Sequence, residues 1–197
     1  MKYALIDNGH GCTSVNGSPD RKILEYVYAR EIASAVYDRL DKCPDITPII
    51  ITPEREDIPL AERVRRINKY VAKYGANNCM MVSIHLDASG NGQWMNARGW
   101  SIWTTKGTTI SDKLATVFYN VAIGLFGIDR CRKDYSDGDP DCEANFYIIK
   151  YSNCAAVLSE NFFQDNKKDV EYLLTPEGFN SIVALHVQAI KMWFGID

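Results

Sequence analysis

The sequence predicts an α/β fold, a largely parallel sheet with helices between its strands, in a single domain. Three observations carry this. Short apolar runs alternate with stripes of helical period along all 197 residues, the pattern of strands feeding crossover helices. One run, residues 79–85, is apolar on both faces, as a central parallel strand must be. Three runs stop on a polar side chain, His10, His85 and Glu160. Open α/β sheets place their ligands outside the C-terminal ends of such strands.

Residues 3–7 form the first strand. Asn8-Gly9-His10-Gly11 follows, and its two glycines permit positive φ and hence a sharp turn. Ser18 and Pro19 read as an N-cap and first helical position. They open a helix to Leu40 with Leu24, Tyr28, Ile32, Val36 and Leu40 on one side and Glu25 in its early turns. Residues 46–52 are a second strand. Asp57 and Pro59 open a second helix, striped by Leu60, Val64, Ile67 and Val71 and ended by Gly75. The third strand is 79–85. A polar loop over 86–98 precedes a strand at 99–104, and 110–126 reads as a helix. The stretch 128–145 is long and acidic, with Asp-Gly-Asp-Pro-Asp at its centre, and loops of that length are often functional. Short strands follow at 146–149 and 155–159, and Thr175 and Pro176 open the last helix. No linker, repeat or low-complexity segment divides the chain.

Composition excludes several classes. The net charge of −3 leaves no electrostatic footprint for nucleic acid. No run of about 18 apolar residues is present, so no membrane span is expected. The first strand begins almost at Met1, which leaves no room for a signal peptide. The six cysteines form no Cys-x-x-Cys pair, against a structural zinc ribbon. Cys79 and Cys154 read as buried thiols, and Cys131 and Cys142 could pair in an oxidising compartment.

His10 and His85 end strands, Glu25 lies in the helix after the first strand, and Glu160 ends another strand. Two histidines and one glutamate are a catalytic zinc set that leaves a position open for water. Zinc acidifies that water and polarises a carbonyl, and Glu160 is the candidate base. Spacing alone leaves a plainer reading open, two turn histidines and two surface glutamates.

The order of motifs adds to this. The stretch Asp7-Asn8-Gly9-His10-Gly11 is followed by Glu25 and Ala33, then by Thr52, Asp57, Leu60, Arg63 and Asn68. Ser83-Ile84-His85-Leu86-Asp87-Ala88 comes next. Leu158-Ser159-Glu160-Asn161-Phe162-Phe163 closes the series, with Asn166, Asp169 and Leu173 behind it. In this order, over nearly the whole chain, the sequence resembles the zinc-dependent N-acetylmuramoyl-L-alanine amidases (Amidase_3) of bacterial cell walls. The resemblance implies a three-layer domain, one sheet of about six strands with helices on both faces. It implies that His10, Glu25 and His85 bind Zn2+ and that Glu160 is the catalytic carboxylate. Three positions depart from the family pattern: Asn8 stands for Pro, Asp87 for Asn and Phe162 for Gly. Asn8 and Phe162 are expected to alter turn geometry, and Asp87 to add negative charge near the metal.

Other candidates are weaker. The Gly9–Gly11 turn lacks the third glycine of a dinucleotide fingerprint. His186 falls on an apolar helical stripe and reads as a core residue. Cys12 reads as a small loop residue. Asp7 is either a support for a ligand histidine or a plain strand-end carboxylate. Trp94 and Trp100 are either a substrate platform or packing. Arg63, Arg65 and Arg66 read as a solvated helix face.

The expected function is hydrolysis of the amide between N-acetylmuramic acid and L-alanine of the peptidoglycan stem. A zinc carboxypeptidase or other peptidase, or a wall-binding module without catalysis, are the alternatives. The loops 86–98 and 128–145 are expected to wall the groove, with Asp137, Asp139 and Asp141 selecting amine-bearing stems. The chain is expected to act as a monomer on the cell wall, in the manner of a phage endolysin or a trimmed secreted enzyme.

Overall fold

Both faces of the expected central strand are covered by helices, and this settles the layers. The computed structural model describes residues 1–90 and 92–196; Asn91, in the expected 86–98 loop, lies outside them. The strands are β1 (Lys2–Asn8), β2 (Ile46–Ile50), β3 (Cys79–Asp87), β4 (Ser101–Thr104), β5 (Cys142–Glu143) and β6 (Ala155–Phe163). They form one six-stranded sheet in the order β2-β1-β3-β6-β4-β5. β2, β1, β3 and β6 run parallel, and β4 is antiparallel to β6. The helices are α1 (Glu25–Leu40), α2 (Leu60–Tyr74), α3 (Ile110–Phe126), α4 (Tyr147–Lys150), α5 (Lys167–Leu173) and α6 (Pro176–Phe194).

Strand alternation sorts the core. Ala4, Ile6, Met80, Val82 and Ile84 face α1, α3 and α6. Leu5, Cys79, Met81, Ala156 and Leu158 face α2 and α4. Side chains of period two therefore feed two separate cores, and the C-terminal ends of β1, β3 and β6 share one lip.

Local structure departs from expectation in several places. β3 runs on to Asp87, and β5 lies inside the stretch 128–145 expected as a loop. Ser18 does not cap α1. Its Oγ takes the Ile23 N–H at 3.0 Å and its N–H bonds Ile23 O at 2.9 Å, closing a small loop in which Arg21 has φ +59°. The helix starts only at Glu25. Residues 146–149 are not a strand, for Tyr147–Lys150 is one helical turn; a short buried apolar run has no period that tells the two apart. α5 was not expected, although Asn166 caps it through the N–H groups of Lys168 and Asp169. β6 runs on to Phe163, past a register shift opposite His85 and Asp87.

Candidate metal centre

β1 delivers His10 to the lip, β3 delivers His85 and α1 begins there with Glu25. The Glu25 Oε1 lies 3.1 Å from His85 Nδ1 and 3.3 Å from His10 Nε2. One ligand atom from each of the three lies within 4.8 Å of the others. Two imidazole nitrogens and a carboxylate oxygen that converge in this way could hold a metal ion. Burial would raise the Glu25 carboxyl, but the hydrogen bonds with His10 and His85 outweigh it and hold the group well below the usual carboxylate range. The same bond from Glu25 raises the His10 imidazole. Leu86 N–H donates to Glu25 Oε1 at 3.1 Å and Gln164 Nε2 to Oε2 at 2.9 Å, so the carboxylate is held from both sides.

The turn after β1 works differently from its sequence reading. Gly9 and Gly11 do not have positive φ; His10 between them does, at +60°. The glycines are needed for space. A Cβ on Gly9 would lie 2.5 Å from the His85 ring, and one on Gly11 would lie 2.2 Å from the Asp57 backbone.

Arg63 supports the strained residue. It is not on a solvated face: it is 2% exposed. Its guanidinium donates to His10 O at 3.1 Å, Asn8 O at 2.8 Å, Asp7 Oδ1 at 3.0 Å and Asp57 Oδ1 at 3.1 Å. Arg30 adds a second donor to His10 O at 3.1 Å. Asp7 therefore serves Arg63 and the Ser83 hydroxyl, 2.6 Å away, and bonds neither histidine. Arg65 and Arg66 pair with Glu62 at the surface, as expected.

Glu160 pairs with His85 across the β3–β6 ladder. Its Oε2 is buried and has no partner among the described residues. Burial raises this carboxyl well above its ordinary value, and the charges of Asp87 and Glu25 add to the effect. The departure at Asp87 thus acts on the carboxylate beside the site. His10, His85, Glu160 and Arg63 line one cavity of about 580 Å³, with Ile58, Leu60, Phe146 and Tyr147 among its walls. Among the described residues, neither expected loop, 86–98 or 128–145, contributes to this cavity. Its walls are the segment before α2 and the start of α4.

The other candidates resolve as packing. Trp100 is fully buried, and Trp94 is half-buried against the core with Lys167 over its ring. His186 is buried between Ser159 Oγ at 2.9 Å and Ile182 O at 2.8 Å. Cys12 is exposed, Cys79 is buried and Cys154 only partly so, and all six thiols are free. Phe162 has φ +70°, a backbone that suits the glycine of the family pattern and that the phenylalanine here adopts. Sequence reasoning missed Gln164 and the buried role of Arg63. The only signal for Arg63 was its place in the family pattern.

The family model for N-acetylmuramoyl-L-alanine amidase (Amidase_3) matches residues 4–192. Among solved structures, the chain is similar to the catalytic domain of CwlV, an N-acetylmuramoyl-L-alanine amidase from Bacillus (Paenibacillus) polymyxa var. colistinus, with 23% identity, 100% of each chain covered and a TM-score of 0.81. It is similar to an N-acetylmuramoyl-L-alanine amidase from Clostridium difficile 630, at 24% identity and TM-score 0.83, over 99% of this chain and 97% of that one. It also matches the catalytic domain of the CD27L endolysin targeting Clostridia difficile, at 22% identity and TM-score 0.69, over 100% of this chain and 99% of that one. At these identities the likeness is one of fold. No curated protein sequence matches. No helix among the described residues is long and apolar enough to cross a membrane.

Proposed function

We propose that this chain, which belongs to the N-acetylmuramoyl-L-alanine amidase family, holds one zinc ion between His10, Glu25 and His85 and uses Glu160 as its proton-transfer group. Peptidoglycan is the substrate of the family, and the bond hydrolysed joins N-acetylmuramic acid to L-alanine. The observation that carries the assignment is the convergence of two histidines and a carboxylate within 4.8 Å, on a cavity that Glu160 also lines. Nitrogen and oxygen donors of this number suit zinc and leave a position open. When bound, zinc supplies a Lewis acid that acidifies water and polarises a carbonyl.

The chain's own groups supply the rest. Glu160 takes a proton from the attacking water as its oxygen bonds to the lactyl carbonyl carbon. The C–N bond then breaks, and Glu160 hands that proton to the departing alanine amine. Burial suits it to both tasks, because a carboxyl raised from its ordinary range is a stronger base towards the water's proton and holds that proton until the amine departs. Arg63 and Arg30 hold the His10 carbonyl and so fix the direction of the imidazole. A carboxypeptidase would need an arginine free to bind a terminal carboxylate. Arg63 is the arginine lining the cavity, and its donors are already taken by Asp7, Asn8, His10 and Asp57.

Three measurements test this. Digestion of purified peptidoglycan is expected to release peptides with N-terminal alanine and no new reducing sugar ends; new reducing ends would mean a glycosidase instead. Elemental analysis is expected to give one zinc per chain, lost in His10→Ala and in His85→Ala. Glu160→Gln is expected to keep the zinc and lose about 10²–10⁴-fold in rate, the usual contribution of a general acid–base group. Loss of metal in Glu160→Gln would make Glu160 a ligand and overturn its role.

A further inference from the structure

The acidic stretch 134–143 takes no part in the cavity at the lip, yet it holds a buried carboxyl group with an unsatisfied oxygen. Asp141 is 1% exposed. Its Oδ2 accepts a hydrogen bond from the Thr104 hydroxyl on β4. Its Oδ1 has no partner among the described residues. The group that faces it is another acid, Asp139, whose carboxylate lies against it and whose Oδ1 is 3.4 Å from the Asp141 N–H. Neither acid forms an ion pair with lysine or arginine among the described residues.

A carboxylate taken out of water beside a second one is not stable as a bare anion. It takes up a proton or it binds a cation. Acids at every second position, Asp137, Asp139, Asp141 and Glu143, are by themselves only a common solvated pattern. The orphaned, buried Oδ1 separates this loop from that pattern. Gly138, at φ +112°, supplies the bend that turns the loop back on itself.

We propose that Asp139 and Asp141, at the outer edge of the sheet, form a second cation site that takes one calcium ion. The donors on offer are oxygens, which suit a hard cation. Calcium accepts six to eight of them in loose geometry, with backbone carbonyls and waters completing the set, whereas magnesium demands a near-ideal octahedron. A softer ion would need the thiol of Cys142 next door. Burial pushes that thiol up to about 11, so it stays protonated and is a poor ligand. Two carboxylates alone predict a weak site, with a Kd on the order of 10⁻⁴ M, as in extracellular calcium modules. Its effect would be local. β5 is two residues long and pairs only with β4, and an ion held by Asp141 would fasten it there.

The test uses the full-length chain with zinc in slight excess, so that the histidine site is filled. Calcium chloride is titrated in at constant ionic strength, and heat and thermal midpoint are followed. The expected result is one saturable calcium per chain, a midpoint that climbs with each further tenfold of calcium, and magnesium binding at least tenfold weaker. Asp141→Asn has the shape of the protonated acid and is expected to fold. It and Asp139→Asn are each expected to weaken calcium at least tenfold and leave zinc content unchanged. No saturable heat together with no shift in midpoint overturns the site, because it leaves Asp141 neutralised by a proton alone. Unchanged calcium affinity in Asp141→Asn overturns it too, by placing the ion elsewhere. Magnesium binding as tightly as calcium overturns the choice of ion.

Discussion

Two strands end at the lip with a non-glycine residue in the left-handed region, and the protein stabilises the two by opposite means. His10, after β1, has φ +60°, and Phe162, near the end of β6, has φ +70°. Such a conformation costs about 1–2 kcal/mol for a residue with a Cβ. At His10 the compensation is polar: Arg63 and Arg30 both donate to its carbonyl, and flanking glycines leave room for the His85 ring and the Asp57 backbone. At Phe162 it is apolar: the ring packs edge-on against Phe126 at 5.0 Å and Tyr172 at 5.3 Å, with the Arg130 guanidinium 4.8 Å above it. The difference teaches where each kind of support belongs. Beside the reacting groups, hydrogen bonds fix direction. Two residues beyond Glu160, bulk packing fixes the register of the strand and leaves the site free of further charge.

Removing the polar clamp is the harsher way to break this comparison. Arg63→Ala leaves the Asp7 carboxylate buried without its partner, and breaking a buried pair in this way costs about 3–5 kcal/mol. The expected outcome is a chain that melts far lower and holds zinc weakly. Arg63→Lys is expected to recover only part of the loss, since one ammonium cannot reach four acceptors in a plane. Parallel urea melts and zinc titrations check both. Wild-type zinc affinity in a folded Arg63→Ala would remove Arg63 from any role in positioning His10.

Gly9→Ala probes the space rather than the bonds. Its Cβ would come within 2.5 Å of the His85 ring, so the ring must shift. A displacement of about 1 Å at a reacting centre can cost 10²-fold in rate, and a loss of about that size is expected, with little change in the melt. A large stability loss with normal activity would show that the backbone moved instead of the ring.

Phe162→Gly tests the apolar partner of the comparison. It relieves about 1–2 kcal/mol of backbone strain, but removing a buried phenylalanine ring costs about 3–5 kcal/mol. The loss wins, and a net destabilisation of about 2 kcal/mol is expected by urea melt. A stabilised variant would mean that the aromatic cluster contributes less than the strain it holds.

What the sequence disclosed follows the same division. His10, His85 and Glu160 stood out because each follows an apolar run, which places it near the C-terminal end of a strand, although β1 stops before His10 and β3 and β6 run on past His85 and Glu160. Glu25 was a weaker candidate from spacing and gained weight from the family pattern, because its partners are supplied by two distant segments. Arg63 was misread as solvated because its acceptors on Asp7, Asn8 and His10 lie 53 to 56 positions away. Gln164 was missed for a related reason. Residues 155–159 look like a complete strand, and nothing local reveals that β6 continues through a bulge to Phe163. Helix α5 could have been found from its cap, Asn166 followed by Asp169. The acidic loop was assigned to substrate from charge alone, and only burial shows that Asp141 turns inward.

The mildest prediction concerns the polar chain behind the bulge. Asn161 Nδ2 lies 3.2 Å from Ser159 Oγ, and Ser159 Oγ lies 2.9 Å from His186 Nε2. His186 Nδ1 faces the Ile182 carbonyl at 2.8 Å, so Nδ1 carries the proton and Nε2 accepts from the serine. Burial lowers His186 to about 4, from the ordinary imidazole value of 6.5. The sign follows from linkage: between these two values the unfolded chain binds the proton and the folded chain does not, so stability falls as pH drops through 6.5 and levels off only below about 4. At pH 5.5 the loss from this one group is about 1 kcal/mol, set by the tenfold excess of protonated imidazole in the unfolded state. Paired urea melts at pH 7.5 and 5.5 measure it against other titrating groups, because His186→Gln cannot take up the proton and is expected to shrink the difference between the two pH values by that amount. An unshrunken difference in the variant would assign the acid sensitivity to other groups and leave Ser159 and the bulge indifferent to the charge on His186.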